Sequence, residues 1–66
     1  MNYKIREIRE KKRISQTELA EMSGVSRQTI INLETKDNID TTIGTLRAIA
    51  DALEVSVKSL FFTENV

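Results

Sequence analysis

Arg27, Gln28 and Asn32 place a planar, permanently charged fork and two side-chain amides close together in the chain. On a helix, Arg27 and Gln28 share the first turn and Asn32 lies one turn further along. A guanidinium can donate two parallel hydrogen bonds to guanine O6 and N7, and a carboxamide can both donate and accept at adenine N6 and N7. By default such a polar group is only a solvated helix face, so its meaning depends on the elements that carry it. Other chemistries are poorly supplied. Histidine is absent, and with it the commonest general base and zinc ligand. Cysteine is absent too, which removes disulfides and thiolate metal sites. Catalysis would have to use a carboxylate pair or a Ser-Lys pair, and so short a chain offers no evident cleft for either. No enzyme activity, cofactor, metal or small-molecule ligand is expected.

The elements that must position these residues belong to a chain of 66 residues, room for one domain over 1–66. No apolar run reaches the length of a membrane span and no signal-peptide pattern opens the sequence, so a soluble, cytoplasmic protein with no membrane partner is expected. Ten basic and ten acidic residues cancel. Their distribution is uneven: Lys4, Arg6, Arg9, Lys11, Lys12 and Arg13 face only Glu7 and Glu10 in the N-terminal stretch. From Lys36 onward, Lys36, Arg47 and Lys58 face Asp37, Asp40, Asp51, Glu54 and Glu64. The N-terminal end is therefore the side suited to approach phosphate. Lys11, Lys12 and Arg13 equally suit a helix C-terminus, and the two roles are compatible.

The apolar spacing is helical almost throughout, and proline is absent. Ile5 and Ile8 predict a first helix from about Asn2 or Tyr3 to Lys12. Ser15-Gln16-Thr17-Glu18 is a capping box that starts a second helix at Gln16, which Ser23-Gly24 ends. Ser26 caps a third, carrying Ile30 and Leu33 and running to about Glu34. After a polar loop at 35–41, Thr42 caps a fourth, with Leu46, Ile49, Ala50 and Leu53 at i, i+3, i+4 and i+7. Ser56 caps a short fifth through Val57 and Leu60, and 60–63 is β-prone enough for a short strand. The expected core is Ile5, Ile8, Ile14, Leu19, Ala20, Val25, Ile30, Leu33, Leu46, Ile49, Ala50, Leu53, Val55, Val57 and Leu60.

Residues 16–34, QTELAEMSGVSRQTIINLE, join two helices through about three residues, which forces a steep crossing. Such a crossing needs a small residue at the contact, one tolerant of positive φ in the turn, and apolar residues in the angle. Ala20, Gly24, and the set Leu19, Val25, Ile30 and Leu33 meet these demands together. The strings IREIREKKRISQTELAEMSGVSRQTIINLE and TLRAIADALEVSVKSLF resemble the phage Cro and repressor-type helix-turn-helix domains, the XRE family, in its short stand-alone form. The similarity covers nearly all of the chain from Lys4 to Phe62.

That resemblance implies an all-α, five-helix lambda-repressor-like fold whose third helix enters the major groove of double-stranded DNA, and a symmetric homodimer. It implies base reading by Arg27, Gln28 and Asn32. Ser15 and Gln16 match the place where the family grips a phosphate, and a helix N-terminus suits an anion in any case. Thr29, Lys36 and Thr42 are further phosphate candidates. Arg9 and Glu34 match an ion pair between helices one and three. A sequence-specific regulator follows, expected to repress from a palindromic operator. A protein partner such as a toxin stays open as the rival reading. Adjacent Phe61 and Phe62 cannot both enter one small core, so with Val57 they are expected to form the dimer interface; folding back of both rings over Ile5 or Tyr3 is the alternative. Asp37 and Asp40 stand where relatives often carry basic residues. Glu54 stands where they often have a helix-ending glycine, predicting a strained left-handed cap.

Overall fold

A computed structural model describes residues 3–36 and 41–61. Four α-helices and a 3-10 turn follow one another: α1 Ile5–Lys11, α2 Gln16–Ser23, α3 Arg27–Thr35, α4 Ile43–Leu53, then the turn Val57–Leu60. Hydroxyl caps start the last four. Ser15, Ser26, Thr42 and Ser56 each accept the N–H three residues ahead, from Glu18, Thr29, Thr45 and Ser59. Each satisfies a donor that the first turn of a helix leaves unpaired. α4 packs on α2 and on the 3-10 turn, α2 packs on α3, and α1 packs on α3.

The core is one cluster. Ile5, Leu19, Ile30, Leu33, Leu46, Ile49, Ala50, Leu53 and Leu60 are buried. Ile8, Ile14, Ala20, Val25, Val55 and Val57 pack against them half-buried, joined by Tyr3, Ala52 and Phe61. Each fully buried aliphatic side chain is worth about 1.5–3 kcal/mol relative to exposure.

Two elements differ from the sequence reading. α1 starts at Ile5, because Tyr3 is not helical: it forms an isolated antiparallel bridge with Phe61. The Lys4 N–H donates to the Leu60 carbonyl at 2.6 Å, and the two rings meet with centroids 5.6 Å apart. That cross-chain pairing outcompetes another turn of helix. The fifth helix is only a 3-10 turn of four residues, consistent with a segment too short to propagate i→i+4 bonds. Of the β-prone stretch 60–63, Phe61 is in the bridge; Phe62 and the rest of the tail, like loop residues 37–40, lie outside the described residues.

α1 and α4 end alike. After α1, Arg13 donates to the Glu10 carbonyl and Ile14 to that of Arg9; after α4, Glu54 donates to Asp51 and Val55 to Ala50. These are Schellman closures, which need a left-handed residue. Neither is glycine: Arg13 has φ 58° and Glu54 φ 61°. A side chain there costs on the order of 1–2 kcal/mol. Glu54→Gly is expected to stabilise the protein by about 1 kcal/mol, raising the melting temperature by roughly 4–8 °C. Thermal unfolding followed by circular dichroism checks it; an unchanged or lower midpoint contradicts the strain.

Candidate nucleic-acid interface

The site is built on the angle between α2 and α3. α2 begins in a closed capping box: Glu18 N–H donates to Ser15 Oγ at 3.0 Å, and Ser15 N–H donates to Glu18 Oε1 at 2.8 Å. It ends at Gly24, whose N–H still makes the helical bond to the Ala20 carbonyl at 2.9 Å and whose φ of 75° then turns the chain out of the helix. A Cβ at Gly24 would meet nothing within 4 Å, so the need for glycine there is conformational rather than steric. Ser23 donates its hydroxyl to the Leu19 carbonyl and accepts the Val25 N–H, tying the turn to α2.

α3 then starts at once. Ser26 Oγ accepts the Thr29 N–H and donates to Thr29 Oγ1 at 2.8 Å. Ile30 and Leu33 are buried, which turns Arg27 and Gln28 fully outward and leaves Asn32 half-exposed. Gln28 Nε2 donates to Asn32 Oδ1 at 3.1 Å. The two amides are thus linked along one edge, while the Arg27 guanidinium projects separately.

Behind this edge lies the most buried charge of the described residues. Arg9 Nε donates to Glu34 Oε2 at 2.8 Å and Arg9 Nη2 to Glu34 Oε1 at 3.1 Å, a two-pronged pair. Arg9 Nη1 donates to the Ile14 carbonyl at 2.8 Å. The Glu34 side chain is 1% exposed and that of Arg9 10%. The hydrogen bond to Glu34 raises the Arg9 pKa above its ordinary value; burial opposes this, and the charges of Glu34 and Glu10 add to the rise. The guanidinium stays charged. Glu34 Oε1 also accepts from Gln16 Nε2 at 2.9 Å.

The remaining candidates are spread along the same side or away from it. Ser15 is exposed at the head of α2, and Gln16, half-buried, is its first residue. Thr29 is half-buried in the first turn of α3, and Lys36 is exposed just past its end. Thr42 caps α4, its hydroxyl donating to Thr45 Oγ1 at 3.0 Å. Val57 and Phe61 are half-buried at the other end of the chain, where the Phe61 ring meets Tyr3, the only part of the two-ring fold-back alternative that falls on described residues. Phe62 lies outside the described residues. The sequence reading did not single out Met22 and Ile43, which are 54% and 67% exposed. Helical spacing gave no signal for Ile43, because Leu46 and Ala50 stand at i+3 and i+7 from it and are buried. No helix among the described residues is long and apolar enough to cross a membrane.

Comparison with known proteins agrees with this geometry. Residues 5–60 match the family described as Helix-turn-helix. Among solved structures, the restriction-modification controller protein C.AhdI from Aeromonas hydrophila is similar, with a TM-score of 0.80 and 29% sequence identity over 88% of this chain and 86% of that one. No curated protein matches.

Proposed function

The chain belongs to the XRE-type helix-turn-helix family of DNA-binding transcription regulators, and on that premise we propose that it represses transcription, as a homodimer on a palindromic operator in the cytoplasm. The observation that carries this reading is the outward edge of α3: Arg27 and Gln28 exposed, Asn32 beside them, over a face anchored by Ile30 and Leu33. Arg27 reads guanine, and Gln28 and Asn32 read adenine. Ser15 and Gln16 hold a phosphate at the head of α2, with Thr29, Lys36 and Thr42 as additional backbone contacts. Binding alone suffices for repression, because an occupied promoter excludes polymerase. The similarity to a controller protein supports transcriptional control as the class of action.

For the dimer, the supporting feature is a shallow groove between α1 and the 3-10 turn, lined by Ile8, Val55 and Phe61 together with Lys4 and Lys58. This groove, next to the half-buried Val57, is the face where a second copy docks. The protein measures 33 × 22 × 19 Å, so two copies side by side can set their recognition helices about 34 Å apart, one turn of duplex. An isologous pair then requires an approximate palindrome. In vitro selection from random duplexes, with sedimentation of the free protein, tests the reading. The expected result is a dimer that enriches a two-fold site containing guanine and adenine at the half-site contacts. A monomer that binds single half-sites as tightly as full palindromes would refute it.

A further inference from the structure

We propose that Glu34 is a positioning residue for the DNA-backbone contact: its carboxylate, fixed on Arg9, holds the Gln16 side-chain amide in place at the head of α2. The inference rests on reading Gln16 as a phosphate contact, and it assigns Glu34 a role beyond joining α1 to α3.

Glu34 Oε1 accepts from two donors, Arg9 Nη2 at 3.1 Å and Gln16 Nε2 at 2.9 Å, while Oε2 accepts Arg9 Nε. The carboxylate is therefore shared between α1 and the first residue of α2, although it belongs to the last turn of α3. A glutamine on a helix surface samples many rotamers, and fixing one on binding costs affinity. Here the rotamer is fixed in the free protein by a partner that is itself almost fully buried. A side-chain amide has two N–H donors. One is committed to Glu34, and the other is available to a phosphate oxygen beside the α2 amides.

An acidic group so close to a phosphate would normally repel it. The two-pronged bond from Arg9 neutralises that charge, and Arg9 stays protonated. The arrangement runs Ile14 carbonyl, Arg9, Glu34, Gln16, and it makes the ion pair part of the DNA-binding apparatus.

The test compares Gln16→Ala, the pair replacement Arg9→Met with Glu34→Leu, and the triple variant. Affinity for random-sequence duplex is measured at a temperature where circular dichroism shows every variant folded. Gln16→Ala is expected to weaken binding to all sequences about three- to tenfold. The pair replacement should weaken it equally, and adding Gln16→Ala to it should do nothing more. If Gln16→Ala weakens binding but the pair replacement does not, Glu34 is structural only and the proposal falls, while the phosphate reading of Gln16 stands. If Gln16→Ala changes nothing, the phosphate reading falls and this proposal with it. Should the pair replacement fail to fold, Glu34→Asp keeps the charge but shortens the reach. NMR relaxation of the Gln16 side-chain amide is then expected to show an ordered group in the unmodified protein and a mobile one in Glu34→Asp, with the same three- to tenfold loss. An amide equally mobile in both would overturn the proposal.

Discussion

Arg9→Ala is expected to cost about 3–5 kcal/mol, the loss typical when one partner of a buried pair is removed. The reason is what stays behind. Glu34, with a side chain 1% exposed, would keep only the Gln16 amide, and the Ile14 carbonyl would lose its side-chain donor. A chain of this length has a total stability of about 3–10 kcal/mol, so the loss takes most of it. The pair itself is a different quantity. Arg9→Met combined with Glu34→Leu removes both charges and fills the same space, and it should fold with stability within about 1 kcal/mol of the original or above it. Arg9→Lys should fall between, since a single ammonium cannot make the fork or reach three acceptors. Urea unfolding of the three variants decides. A loss below about 1 kcal/mol in Arg9→Ala would mean that water or rearrangement rescues Glu34.

Arg27→Ala is expected to remove about 1–3 kcal/mol of binding free energy on the selected operator, roughly 5- to 150-fold in affinity, with random duplex bound almost as before. An exposed arginine with no buried contacts makes little contribution to the fold, so the melting temperature should not move. Arg27→Lys should recover little, because two parallel donors in one plane are what guanine requires. Gln28 and Asn32 should behave differently. Their hydrogen bond links them, so Gln28→Ala frees Asn32 to turn, and the two losses should not add. Equal losses on operator and random DNA for Arg27→Ala would move it from base reading to backbone contact.

Much of the frame was written in local signals. Ser15 with Glu18, and then Ser26, Thr42 and Ser56, each fixed the first residue of an element, because a hydroxyl cap works within one turn and needs no tertiary knowledge. Apolar spacing placed Ile30, Leu33, Ile49 and Leu53 inside for the same reason. The misses are non-local. Tyr3 reads as helical until the far end of the chain supplies Phe61 and the Leu60 carbonyl. Arg13 carries no mark of a left-handed residue; the Schellman bonds at the end of α1 impose that conformation. Gln16 read as a phosphate contact at the head of α2, and its tie to Glu34 exists only once α3 has packed across α2. At the site, residue types alone suggested the chemistry of Arg27, Gln28 and Asn32, but the ion pair was recognisable only by resemblance, since Arg9 and Glu34 are 25 positions apart.

The clasp between Tyr3 and Phe61 bears on how the protein comes apart. Helices α1 to α3 and the 3-10 turn close over short stretches of chain, whereas this contact closes almost the whole of it. Loop-closure entropy grows only logarithmically with length, so the long closure is affordable once the helices have docked, and it should form last and open first. Fraying at one end is then fraying at the other: the Lys4 amide, held by the Leu60 carbonyl, loses its shield whenever Phe61 lifts. Hydrogen exchange at the two ends should therefore keep the same time, and a protease that catches either end should release both.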